Sequence, residues 1–156
     1  MKINELQALY ERYEKKYSLP SFDDIGEFFE IDRIDEEPQF FLRTVRKILM
    51  EKVIEMIRMF EFLMNPSIAP PFFLQFVKKM SIDEHGNIDK LYKRFIHLEL
   101  NGIDLDMGYN EKNEAEHILS VFNSWKENLF HMREIIALMR RNFDEVISKK
   151  EKSYFG

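Results

Sequence analysis

The longest regular pattern of apolar residues lies in the last third of the chain. From Asn110 to about Ser148 no proline or glycine occurs, and apolar residues recur at alternating steps of four and three. This heptad period is typical of a helix whose apolar edge packs against other helices. The seam consists of Ile118, Phe122, Trp125, Leu129, Met132, Ile136, Met139, Phe143 and Val146. The pattern predicts one uninterrupted helix over about 110–148, with Asn110 as its N-cap.

A second long helix is predicted over about 38–65. Pro38 suits the first helical position, and Asn65-Pro66 stops the pattern. The apolar stripe of this helix consists of Leu42, Val45, Leu49, Val53, Met56, Phe60 and Leu63. The helices 38–65 and 110–148 are expected to run antiparallel to each other in a bundle.

Two shorter helices are predicted ahead of the helix over 38–65. An apolar face with helical spacing covers residues 3–17, and Pro20 ends that helix. Ser21 then suits the N-cap of a short helix through Phe28. The stretch 23–37 holds eight acids and one base, and its second half is expected to be an acidic loop.

Two more helices are predicted between the long ones. Residues 72–80 form the first of them, after a run of prolines. The stretch 81–87 is expected to be a turn, and Asn87 then caps the second helix. Gly102 suits the position that follows the end of a helix, so residues 102–109 are expected to be a loop.

The composition agrees with an all-α fold. The chain has 156 residues, of which 45% are hydrophobic and 15 are phenylalanine, whereas glycine and proline number only 5 each. An all-β fold would need more of these turn-forming residues. The sequence therefore predicts an all-α bundle of about five to six helices, formed by one domain over residues 1–148. Residues 149–156 are expected to be a frayed C-terminal tail.

Composition also excludes several classes of function. The chain has no cysteine, which rules out disulfides, thiolate zinc sites and cysteine nucleophiles. No window of 18 residues is apolar enough to cross a membrane, and the N-terminus lacks the apolar core of a signal peptide. The net charge of −5 makes nucleic acid an unlikely partner. A cytoplasmic location is expected, because absence of cysteine fits a reducing compartment.

Glu114 and His117 are the candidate metal ligands. Glu-x-x-His on one helix is half of the ligand set that di-iron and di-manganese bundles use. The other half is missing from the sequence, so the site would need carboxylates such as Glu51 or Glu55. The simpler interpretation is that Glu114 is an acid favoured in the first turns of its helix, and that His117 is a hydrogen-bonded residue at the seam edge.

The function favoured by the sequence is therefore non-enzymatic protein–protein interaction through helix packing. Trp125, Leu129, Met132, Ile136, Met139 and Phe143 are the predicted partner-binding residues. The partner would be a second copy of the chain, as in a homodimer or coiled coil, or another helical protein. The basic residues near the C-terminus could also meet the acidic 23–37 stretch of a neighbouring molecule. No cofactor is expected. The alternatives are a metal-binding bundle enzyme using Glu114 and His117, and an apolar ligand pocket lined by phenylalanines.

Overall fold

The computed structural model describes residues 1–155, and over these residues the protein is all-α. The chain is 84% helical, which confirms the predicted helical bundle, and the described residues contain no strand. The six helices are α1 (Ile3–Tyr17), α2 (Phe22–Phe28), α3 (Phe41–Met64), α4 (Pro71–Lys79), α5 (Ile82–Asp106) and α6 (Glu111–Phe155). No helix in the described part of the chain has the length and apolar character that crossing a membrane requires.

The chain divides into two compact units. The first unit comprises Met1–Ile57 and Arg94–Lys126, and the second comprises Arg58–Lys93 and Glu127–Gly156. The boundaries fall inside α3, α5 and α6, so each of these helices contributes to both units. The single domain expected over residues 1–148 stays a prediction.

Several helix ends follow directly from local chemistry that the sequence displays. The Ser21 hydroxyl accepts a hydrogen bond from the Asp24 backbone N–H at 3.1 Å, and the Asn110 side chain accepts one from the Asn113 N–H at 3.0 Å. Each bond satisfies an N–H group that has no partner inside its helix. Helix α3 ends at Met64, directly before Asn65-Pro66. These predicted caps and this predicted stop are confirmed.

Helix α5 is longer at both ends than the sequence predicted. The predicted turn at 81–87 is wrong, because α5 begins at Ile82. The Ser81 hydroxyl accepts from the Glu84 N–H at 3.1 Å, and the Glu84 carboxylate accepts from the Ser81 N–H at 3.0 Å. This reciprocal capping box starts the helix there. At the other end α5 continues past Gly102 to Asp106, so the predicted loop at 102–109 is much shorter.

The two predicted long helices differ at their ends. Helix α3 begins at Phe41, three residues after the predicted start at Pro38. Helix α6 continues to Phe155, whereas the sequence placed its end at about 148 and a frayed tail over 149–156. Gly156, the last residue of that tail, lies outside the described residues.

The antiparallel arrangement of the two long helices is not confirmed. Within the first unit, Arg43 and Arg46 near the beginning of α3 both bond to Glu114 near the beginning of α6. An antiparallel pair aligned along its length would instead bring the beginning of one helix to the end of the other. The antiparallel neighbour of α6 in this unit is α5, which contacts it through Arg94 with Ser124 and, further along α5, through Leu98 with His117.

The seam of α6 is covered along only part of its length. Trp125 packs its ring against Phe29 and Phe95 in the first unit, at centroid distances of 5.5 and 6.2 Å. Ile118, Phe122 and Met132 are buried, Trp125, Leu129, Met139 and Val146 are half-buried, and Ile136 and Phe143 are exposed. Both exposed positions belong to the second unit, where the Phe143 ring packs edge-on against Phe72 at a centroid distance of 5.5 Å.

Candidate functional site

Glu114 lies in the first turn of α6 with none of its surface exposed. Arg43 donates a hydrogen bond from Nε to Oε1 of Glu114 at 2.9 Å, and Arg46 donates from Nε to Oε2. A charged carboxylate leaves water at a high cost in free energy unless it is paired and hydrogen-bonded. Two guanidinium groups from α3 meet that requirement, one at each carboxylate oxygen.

The same two arginines reach the end of α5. Arg43 donates from Nη2 to the Leu105 carbonyl at 2.7 Å, and Arg46 donates from Nη2 to Asp106. The carbonyls of the last helical turn have no partner inside the helix, so Arg43 acts as a C-terminal cap of α5. Burial alone would raise the pKa of Asp106, but the hydrogen bond and charge of Arg46, with the charges of Lys47 and Arg43, hold it below its ordinary value.

Gly102 makes room for this network. A Cβ atom at Gly102 would lie 3.2 Å from Nη1 of Arg46 and 3.6 Å from Cε1 of His117. The guanidinium of Arg46 is held by Glu114 and by Asp106, so it has little freedom to move away. Gly102 therefore lets the side chains of Arg46 and His117 approach α5 closely. It does not end the helix.

His117 is a buried, neutral histidine with one ring nitrogen engaged. Its Nε2 lies 2.7 Å from the Leu98 carbonyl oxygen, which can only accept, so Nε2 carries the proton. Burial lowers the pKa of His117, and the charge of Arg46 adds to that effect, against opposing contributions from the Leu98 hydrogen bond and Glu114. The other nitrogen, Nδ1, is buried without a donor among the described residues.

These contacts argue against the predicted metal site at Glu114 and His117. Both carboxylate oxygens of Glu114 already accept from guanidinium groups, whose positive charge disfavours a cation. Glu51, one of the expected partner carboxylates, pairs with Arg33, and Glu55 is exposed. Within residues 1–155 no group of three or more histidine, aspartate or glutamate side chains is arranged to hold a metal ion.

Sequence reasoning missed Arg43 and Arg46, although one signal was present. Arg46 follows Leu42 by four residues and precedes Leu49 by three, which puts it on the apolar stripe of α3. A base at such a position is expected to be buried and to need a buried acid as its partner. Arg46 is indeed only 2% exposed.

The predicted partner-binding residues of α6 divide into covered and exposed members. Met132 is buried, and Trp125, Leu129 and Met139 are half-buried. Ile136 and Phe143 are exposed, together with Ile147 and Tyr154, which the sequence analysis did not single out. These four lie within about 40° of one another around the helix. With the exposed bases between them they form what we call the α6 stripe: Arg133, Ile136, Arg140, Phe143, Ile147, Lys150 and Tyr154.

Replacing Glu114 by glutamine should strongly destabilise the protein. The change removes the buried carboxylate that Arg43 and Arg46 share and leaves only the partly exposed Asp106 beside them, which we expect to lower the free energy of unfolding by about 3 kcal/mol. Glu116→Gln is the matched control on the exposed side of α6, where the pair with Lys112 is 3.7 Å long. It should change stability by less than about 0.5 kcal/mol. Denaturant unfolding followed by circular dichroism measures both, and equal effects would contradict the assigned role.

Two glycine substitutions within α5 should have opposite effects. Gly86 has no atom within 4 Å of an added Cβ, so Gly86→Ala should stabilise the helix by about 0.5–1 kcal/mol. Gly102→Ala should destabilise the protein, because the new methyl group displaces Arg46 from its acids. Thermal unfolding of the two variants tests this difference in sign. A stabilising Gly102→Ala would mean that Arg46 is not held in place.

Burial of neutral His117 should make stability depend on pH. The folded pKa lies below the ordinary value of 6.5, so the unfolded chain binds more protons below that pH. Stability is therefore fully present above about pH 6.5 and falls as the pH is lowered towards the folded pKa. His117→Gln should flatten this slope between about pH 7 and pH 5, whereas His131→Gln, at an exposed position, should leave it. Urea unfolding at several pH values provides the measurement.

The two regions differ in what they offer chemically. Around Glu114, acids and bases are engaged with one another and hold the start of α3, the end of α5 and the start of α6 together. The α6 stripe presents apolar and positively charged groups to solvent. Neither a family model, nor a curated protein, nor a solved structure matches this chain.

Proposed function

We propose that this chain is a non-enzymatic interaction protein that associates with further copies of itself. In this proposal the α6 stripe of one copy docks on the acidic segment, residues 23–37, of another copy. The observation that carries the proposal is the row of exposed apolar side chains on one face of α6, with basic residues between them. A cytoplasmic location, expected from the absence of cysteine, forms part of the proposal.

The apolar side chains of the stripe are Ile136, Phe143, Ile147 and Tyr154. Their exposed fractions are 37%, 46%, 39% and 88%. Single exposed apolar residues are common on protein surfaces, but a contiguous row is typical of an interaction site. At 1.5 Å per residue this row extends over about 27 Å of helix, a length suited to packing along another molecule.

The charges of the stripe support the acidic segment as the partner surface. Arg133, Arg140 and Lys150 lie within the stripe and one acid, Glu151, lies beside it, so a complementary surface should carry more acids than bases. The acidic segment supplies eight exposed carboxylates, and its one base, Arg33, is paired with Glu51. Within the described chain none of these eight acids forms a salt bridge. Opposite charge of this kind accelerates encounter and fixes the orientation of the partners.

Self-association should be visible as a molecular mass that rises with protein concentration. Sedimentation or light scattering over a wide concentration range measures it, and added salt should weaken it by screening the charges. A triple reversal of the stripe bases, Arg133→Glu, Arg140→Glu and Lys150→Glu, should leave a monomer. The matched control reverses three exposed lysines elsewhere: Lys15→Glu, Lys78→Glu and Lys90→Glu. This control carries the same change of charge and should still associate.

A charge swap then tests which surfaces meet. A second variant reverses three acids of the acidic segment: Asp24→Lys, Glu27→Lys and Glu30→Lys. Alone it should fail to associate, whereas mixing it with the stripe-reversed variant should restore association between the two. A wild-type monomer at all concentrations, or equal loss in the control triple, would refute the proposal.

A further inference from the structure

The second unit contains a cleft on the side of α6 that faces away from the α6 stripe. Its walls come from α4, from the first turns of α5 and from α6. The larger part has a volume of about 340 Å³, and an adjoining part of about 220 Å³ shares several of its walls. The apolar lining consists of Phe76, Met80, Ile88, Ile135, Ala137 and Leu138. A largely apolar cleft of this size is suited to a small molecule.

Asn142 lines this cleft with a hydrogen-bond acceptor that has no donor in the part of the chain that the structure describes. The residue lines the smaller part of the cleft and is only 7% exposed. Its carbonyl oxygen Oδ1 is buried and receives no hydrogen bond from any described residue. A buried acceptor without a donor is costly, and nearly all such groups in proteins are satisfied by some partner. An N–H or O–H group of a molecule bound in the cleft would supply such a partner.

The charged residues around the cleft indicate that this partner is neutral. Lys79 pairs with Glu145 at 3.9 Å, and His131 lies 3.5 Å from Glu134. Glu84 accepts the hydrogen bond that caps α5. Arg141 is exposed at the rim, where solvent screens its charge. The acids and bases at the rim thus largely offset one another, and no strong net charge remains to attract an ion.

We infer that this cleft binds a neutral, mostly apolar small molecule whose single N–H or O–H group donates to Oδ1 of Asn142. The apolar body of the ligand packs against Phe76 and the aliphatic walls, and the donor fixes its orientation. Asn142 lies about 120° around α6 from Ile136, so it faces a different side of the helix from the α6 stripe.

Indole and N-methylindole form a matched pair of probes for this site. They differ by one methyl group, which removes the only hydrogen-bond donor. Titration of each into the isotope-labelled full-length chain, followed by NMR, should shift the signals of Asn142, Ile135 and Leu138. We expect indole to bind at least about tenfold more tightly than N-methylindole, because only indole can donate to the buried oxygen. Absence of binding, or equal affinity for the two probes, would overturn the inference.

Substitution of the acceptor provides the second arm of the test. Asn142→Leu removes Oδ1 at similar volume, so indole and N-methylindole should then bind with affinities within about twofold. Asn123→Leu, at an exposed position on α6, is the control and should retain the preference for indole. Asn142→Leu should also fold with undiminished stability, because it removes an unsatisfied polar atom. A retained preference for indole, or a large loss of stability, would show that Asn142 serves another purpose.

Discussion

The burial of one carboxylate, Glu114, governs how the first unit is assembled. A charge without contact with water must be compensated by opposite charge and by hydrogen bonds, and α6 itself supplies neither at this position. Arg43 and Arg46 of α3 provide both, and their remaining N–H groups satisfy the end of α5. The start of α3, the end of α5 and the start of α6 must therefore meet at one place.

The apolar periodicity predicted the helices correctly but misplaced some of their ends. The uninterrupted α6 followed from a heptad seam without proline or glycine, and the Ser21 and Asn110 caps followed from local hydrogen bonding. At 81–87 a capping box and a turn-forming Gly86-Asn87 pair compete within seven residues, and the capping box prevails. Gly102 could not be interpreted locally, because its neighbour Arg46 belongs to another helix.

At the candidate sites, too, the sequence pattern predicts features of a single helix but not the contacts that other helices make with it. Glu114 precedes Ile118 by four residues and so lies on the seam side of α6, but spacing within one helix cannot reveal that two arginines of α3 occupy its oxygens. It also cannot tell how far neighbouring helices extend along α6. Met132 is buried and Trp125 half-buried, whereas Ile136 and Phe143 remain exposed, although all four share one pattern.

The positive charges of the α6 stripe limit the kinds of association that its apolar residues can support. Two stripes packed face to face as a coiled coil would bring Arg133, Arg140 and Lys150 of each copy into the interface beside their equivalents. Like charges at core positions oppose that pairing, and so they act against the homotypic coiled coil that the heptad pattern alone would favour. The same bases favour a surface rich in carboxylates. The exposed acids of residues 23–37 offer such a surface on every copy, so in the proposed association charge favours docking of the α6 stripe on these acids over pairing of like helices.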